Sequence, residues 1–255
     1  MIPALNDLHI VELSCLIFNE AHDPARLACV REQIAYDAVQ RNPVIVSPYG
    51  DRYLLLDGAH RARVLGELGC RFALAQLVEL PERAGSWSHL LEELGLEEVL
   101  YSIEEVEVSE TEPERGYLAE ATFSRGEKLF ARTREKGLAP AVRALWALRK
   151  VYPEGGMVHR VDPDRAVGPA PGEAALFYRR FTPAELAEVV SAGEVVPSGV
   201  TRFVVEERIL NVRYPLGLIE NGEPAARNAE LREFVRRSWQ GGCVRYYAEP
   251  VILFE

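Results

Sequence analysis

Leu54-Leu55-Leu56-Asp57-Gly58-Ala59-His60-Arg61-Ala62-Arg63 is the stretch on which the reading of this chain turns. Three leucines after Tyr53 read as a short buried strand that delivers a carboxylate, Asp57, to its C-terminal end. Gly58 permits a tight turn, and from Ala59 to Leu68 the spacing of Val64, Leu65 and Leu68 predicts a helix stopped by Gly69. His60 and Arg61 then lie in the first turn of that helix. A helix start offers backbone N–H groups and the positive end of the peptide dipole, which together form an anion site. Arg61 adds a planar fork suited to phosphate oxygens, and His60 a second donor. Asp57 at the rim suits Mg²⁺, held through one carboxylate and waters, as is usual with phosphates. The alternative is an N-cap aspartate followed by a charged, solvated turn.

Working outward, Pro43-Val44-Ile45-Val46 reads as a neighbouring buried strand, with Pro48-Tyr49-Gly50-Asp51 as the turn between the two. Phe72–Val78 is the next strand, and residues 8–13 an opening one. Asn19-Glu20-Ala21-His22-Asp23-Pro24 is a polar break before a helix over 25–37, where Leu27, Val30 and Ile34 recur at helical spacing and Pro24 suits the start. Strand, turn, helix and strand make an α/β unit with its working loop at a strand's C-terminal end. Further on, Trp87–Leu94 reads as a short helix, and the acidic stretch 92–114 as a surface connection. Tyr117–Phe123 and Lys128–Arg132 read as a hairpin, 138–151 as a helix, and Pro163–Gly172 as a loop. Residues 174–181 read as a strand leading into Thr182-Pro183-Ala184-Glu185, an N-cap, a proline at N1 and a capping-box glutamate. Strands near 203–212, a helix near 227–239 and a strand over 244–253 complete a mixed α/β fold. We expect a nucleotide-binding lobe over 1–84 and a mixed α/β lobe over 85–255, with the active site between them.

The formal net charge is −10, from 39 acidic and 29 basic residues. Duplex binding normally gathers basic charge on one face, so nucleic acid is not an expected partner. No apolar run approaches the roughly 20 residues of a membrane span. The N-terminus has neither a basic n-region nor a long apolar h-region, and the cytoplasm is the expected compartment. Cys15, Cys29, Cys70 and Cys243 stand far apart without a CxxC pair, so they read as buried free thiols and not as a zinc or disulfide framework.

Asn42-Pro43-Val44-Ile45-Val46, Tyr53 to Arg61 and Leu68-Gly69 together resemble the core of the ParB/sulfiredoxin superfamily, over about residues 8–80. Members of that superfamily bind nucleotide phosphates on this turn. Sulfiredoxins carry a cysteine nucleophile just before the His-Arg pair, where this chain has Ala59, so their sulfinate chemistry is not implied. ParB proteins continue into a basic helix-turn-helix, whereas the region after the core is acidic here. The chain is most similar to a third branch, the kinases of free L-serine, including those of siderophore gene clusters. That likeness rests on Asn19-Glu20, Pro24-Ala25-Arg26-Leu27, the Asp57–Arg61 turn, Ser86-Trp87-Ser88-His89, and Pro197 with Thr201-Arg202-Phe203.

The resemblance implies a free-amino-acid kinase that uses Mg²⁺ and ATP or ADP to convert L-serine to O-phospho-L-serine. Glu20 would be the general base on the hydroxyl, and Asp57 would bind Mg²⁺ or orient that hydroxyl. Gly58, Ala59, His60 and Arg61 would cradle phosphates. Trp87 and Thr201 would shape the amino-acid pocket, with Arg202 or His89 near the substrate carboxylate. Phe203 stands where the branch has histidine and offers only apolar contact to an acceptor. The alternative function is a nucleotide-gated DNA-binding or ligand-sensing regulator of ParB type.

Overall fold

A β-hairpin, Val44–Tyr49 paired antiparallel with Arg52–Asp57, is the centre of the first half of the computed structural model. The model describes residues 2–81, 84–114, 116–152, 158–161 and 168–249. Gly50, at φ 61°, makes the hairpin turn where a side chain would be strained. Phe72–Leu77 runs parallel to Val44–Tyr49, and Leu8–Glu12 pairs antiparallel with Phe72–Leu77. The result is a five-stranded sheet in the order Leu8–Glu12, Phe72–Leu77, Val44–Tyr49, Arg52–Asp57, Leu16–Ile17. Helices Pro24–Asp37 and Ala59–Glu67 pack on each other. Their spans lie within a residue of the expected ones, because both patterns are local.

The chain separates by its contacts into two compact units. The first comprises Met1–Leu16, Pro24–Glu79 and Val205–Glu255, and the second Ile17–Asp23 and Leu80–Val204. This differs from a simple division at residue 84. Helix Pro224–Gln240 returns to the first unit and packs on the edge strand Leu8–Glu12. There the Asn228 side chain accepts from Ile10 N–H at 2.9 Å and donates to Ile10 C=O at 3.1 Å. One carboxamide thus satisfies the open edge as a further strand would.

The second unit holds an antiparallel six-stranded sheet in the order His159–Val161, Ser88–Glu92, Glu173–Tyr178, Ala119–Phe123, Lys128–Thr133, Val106–Ser109. Ser88–Glu92 is a strand and not the expected helix. It is paired on both edges, and that pairing outweighs the weak helical spacing of its leucines, leaving Leu94 exposed beyond its end. The acidic stretch is also more than a connection. Leu96, Leu100, Ile103 and Val106 are buried, and they anchor helix Leu96–Ser102 and strand Val106–Ser109. Glu97 and Glu98 sit in that helix's first turn, where the dipole favours acid.

Helix Pro183–Ser191 has the expected reciprocal capping box between Thr182 and Glu185. The predicted strands over 203–212 reduce to Thr201–Arg202 and Tyr214–Pro215. Residues 244–249 form no strand, the rest of that expected strand lies outside the described residues, and so do residues 163–167 of the expected loop. Of the four free cysteines only Cys70 is buried; Cys29 and Cys243 are exposed.

Candidate functional site

In the first unit the site begins at Gly58, which caps helix Ala59–Glu67 in the left-handed region at φ 96°. A Cβ there would lie 2.9 Å from Val44 Cγ1 and 3.1 Å from the Arg61 guanidinium, so both conformation and space require glycine. No side chain caps this helix start. Ala59 and His60 follow directly, so the backbone N–H groups of this helix start stand uncapped by any side chain at the turn.

Arg61 is not an outward fork. Its Nη1 donates to Asn42 C=O at 3.0 Å and to Pro43 C=O, and its Nη2 donates to Asp57 Oδ2 at 3.4 Å. The guanidinium therefore ties the helix start to the strand behind it and presses on the carboxylate. A second arginine, which the sequence reading did not single out, completes the group. Arg208 Nη1 lies 2.6 Å from the same Asp57 Oδ2. Burial pushes the Asp57 carboxyl up, but Arg61, Arg208 and the Gly58 N–H outweigh it and hold the pKa below the ordinary aspartate value. Asp57 is thus firmly ionised. The one visible signal for Arg208's support was Gln76, a polar residue in an otherwise apolar strand.

In the second unit the focus is Glu20. Its backbone is no free loop: Glu20 bridges Val196, Ala21 N–H donates to Val196 C=O at 2.9 Å, and Val196 N–H to Asn19 C=O at 3.0 Å. Its carboxylate accepts from Thr201 N–H at 2.7 Å, Thr201 Oγ1 at 2.5 Å and Gly199 N–H at 3.3 Å. Burial nevertheless pushes its pKa above the usual glutamate value, against those hydrogen bonds and the charge of Arg160. Gly199, at φ 81°, leaves room for the Arg160 guanidinium, which would stand 2.6 Å from any Cβ there.

His89 lies beneath this turn at 4% exposure. Its Nδ1 is 2.6 Å from Tyr152 Oη, which in turn contacts Tyr178 Oη, while Nε2, among the described residues, has the Gly199 backbone near it without a hydrogen bond of ordinary geometry. Burial, with Arg160 and Arg149 nearby, pushes His89 down to about 4, so the ring is neutral. Trp87 and Arg202 are stacked, the guanidinium carbon 4.7 Å from the ring centroid. Thr201 and Arg202 pair with Ser86 and Gly85, and a Cβ on Gly85 would fall 2.8 Å from Arg202 C=O. Phe203 is buried, at 3% exposure. Glu20, Thr201, Trp87, Arg202 and His89 thus gather around one short ladder, although 181 residues separate Glu20 from Thr201.

No established family profile matches the chain. Over 254 residues it is 26% identical to the ATP-dependent L-serine kinase SbnI of Staphylococcus aureus, covering 97% of each chain. Among solved structures, SbnI with a C-terminal truncation, from Staphylococcus aureus, superposes with a TM-score of 0.78 at 20% identity, over 94% of this chain and 100% of that one. A free serine kinase in complex with AMP gives 0.64 at 20% identity, over 84% and 93%. A conserved hypothetical protein from Pyrococcus furiosus gives 0.63 at 18% identity, over 84% and 97%. This chain shares their fold.

Among the described residues no group of three or more His, Cys, Asp or Glu side chains is placed to hold a metal. Mg²⁺ bound with phosphates takes one or two carboxylates and completes its shell with phosphate oxygens and water, and Asp57, whose Oδ2 is shared by Arg61 and Arg208, offers one such carboxylate. No helix among the described residues is long and apolar enough to cross a membrane.

Proposed function

We propose that this protein is a kinase that transfers the terminal phosphate of ATP to the hydroxyl of free L-serine, giving O-phospho-L-serine. The observation that carries this reading is the likeness to an L-serine kinase along nearly the whole chain. Asp57 beside a helix start that suits phosphate, and Glu20 held by a threonine hydroxyl with its pKa raised by burial, are consistent with it.

Phosphoryl transfer asks mainly for positioning and charge stabilisation. In this reading the N–H groups at Ala59 and His60 receive phosphate oxygens, and Asp57 holds Mg²⁺. Bound there, the ion neutralises charge on the phosphates. Arg61 keeps the helix start and Asp57 in register. Glu20, its pKa raised toward that of a working base, accepts the proton of the serine hydroxyl as that oxygen bonds to phosphorus. The bond from phosphorus to the bridging oxygen breaks, and ADP leaves with the electron pair. Thr201 orients Glu20, Trp87 and Arg202 contact the acceptor, with Arg202 toward its carboxylate, and Phe203 packs behind them. His89 supports the turn that carries the base.

The test is direct. Purified protein, Mg²⁺, ATP or ADP and each of the twenty amino acids are incubated together, and products are read by mass spectrometry. O-phosphoserine formed from ATP supports the reading. No phosphoserine with either nucleotide overturns it.

A further inference from the structure

Arg208 sits on a segment with no regular structure, yet that segment is held at several points. Gln76, on the inner strand Phe72–Leu77, is 2% exposed. Its Nε2 donates to Glu207 C=O at 2.9 Å, and its Oε1 accepts from Ile209 N–H at 3.0 Å. One buried carboxamide therefore grips the backbone on both sides of Arg208, as a paired strand would. Downstream, Asn211 N–H donates to Asn42 Oδ1 at 2.7 Å and Arg213 N–H to Arg41 C=O at 3.1 Å. Asn211 and Arg213 both occupy the left-handed region, at φ 55° and 56°. Asn adopts that region readily, and Arg213 is held in it by its N–H on Arg41 C=O at the entry to strand Tyr214–Pro215.

The two arginines on Asp57 are not equivalent. Arg61 is committed to the carbonyls of Asn42 and Pro43, and its side chain is 22% exposed. Arg208 is 40% exposed. A half-exposed ion pair adds little to stability. A buried glutamine that grips the backbone on both sides of Arg208 is better explained by what that arginine contacts when the protein works.

We propose that Arg208 is a catalytic residue that binds the terminal phosphate of the nucleotide, and that Gln76 is its positioning residue. This rests on the kinase reading above. Arg208 stands on Asp57, the carboxylate this reading assigns to the cation at the transferred phosphate. A planar guanidinium suits a phosphoryl group whose charge spreads over its equatorial oxygens during transfer. ADP lacks only that phosphate and serves as the internal control.

Calorimetry with ATP and ADP, alongside steady-state kinetics, tests the proposal. Arg208→Ala should weaken ATP binding about tenfold or more while leaving ADP within about twofold, and should lower kcat. Arg208→Lys should recover part of the ATP affinity. Gln76→Glu keeps the acceptor for Ile209 and loses the donor to Glu207, so it should lower kcat in wild type and lower it no further in Arg208→Ala. Wild-type ATP affinity in a folded Arg208→Ala variant overturns the phosphate contact. An equal Gln76→Glu effect in both backgrounds overturns the positioning role. The binding arm needs no turnover, so it decides on Arg208 even if serine is not phosphorylated.

Discussion

Thr201 donates both its backbone N–H and its hydroxyl to the same oxygen of Glu20, 181 residues earlier in the chain. These bonds favour the ionised carboxylate, while burial favours the neutral acid, and burial prevails. A carboxylate held this way takes up a proton more readily than an exposed glutamate and is fixed in direction. Glu20→Gln keeps the shape and removes the charge. Turnover should fall by roughly 10² to 10⁴ with nucleotide affinity unchanged. Wild-type turnover in this variant removes Glu20 from the base role.

Thr201→Val deletes one bond that lowers the Glu20 pKa, so that pKa should rise further. The acid limb of the kcat/KM profile reports the free enzyme's base and should move to higher pH in this variant. A limb that stays in place would separate Glu20 from the observed ionisation.

Arg61 braces two carbonyls and Asp57, which a lysine cannot do at once. Arg61→Ala should cost about 2 kcal/mol or more in unfolding free energy, as loss of charged hydrogen bonds does, in addition to weakening nucleotide binding. Arg61→Lys should restore little of either. Urea denaturation at neutral pH measures the first effect; stability equal to wild type would return Arg61 to a purely ligand-facing role.

Gly58→Ala forces a side chain into the left-handed region and against Val44 and Arg61. The expected destabilisation is about 2 kcal/mol, with nucleotide affinity reduced because the helix start must shift. Unchanged unfolding and binding would mean that the turn relaxes freely.

His89 titrates near 4 in the folded chain against about 6.5 when unfolded. Between those values the unfolded chain holds more protons, so this group's contribution is full above pH 6.5 and is lost as pH falls toward 4. The loss from pH 7 to pH 5 is about 2 kcal/mol. Glu20 works in the opposite direction, so the informative quantity is the difference between wild type and His89→Gln. That variant should show a flatter decline over this range, and an identical decline would mean that His89 is not the group responsible.

How much of this was legible beforehand depended on how local each feature is. The Asp57–Arg61 turn was readable because strand, glycine and helix start are contiguous, and each imposes its own backbone preference. The Thr182–Glu185 capping box was readable for the same reason. Trp87–Leu94 was misread because apolar spacing over eight residues does not separate a helix from an inner strand. The segment 203–212 was misread because its hydrogen bonds go to the Gln76 and Asn42 side chains and not to another strand.

The sequence by itself determined the strand-to-helix turn at Asp57–Arg61, the glycine that permits it and the acidic balance of the chain. Only the tertiary structure decided that Glu20 rests on Thr201, that Arg61 faces inward, and that Arg208 arrives 151 residues later to share Asp57. Hydrogen bonds and ion pairs act over a few ångströms of space, whatever the distance along the chain. Partners so far apart leave no periodic trace in the residues between them.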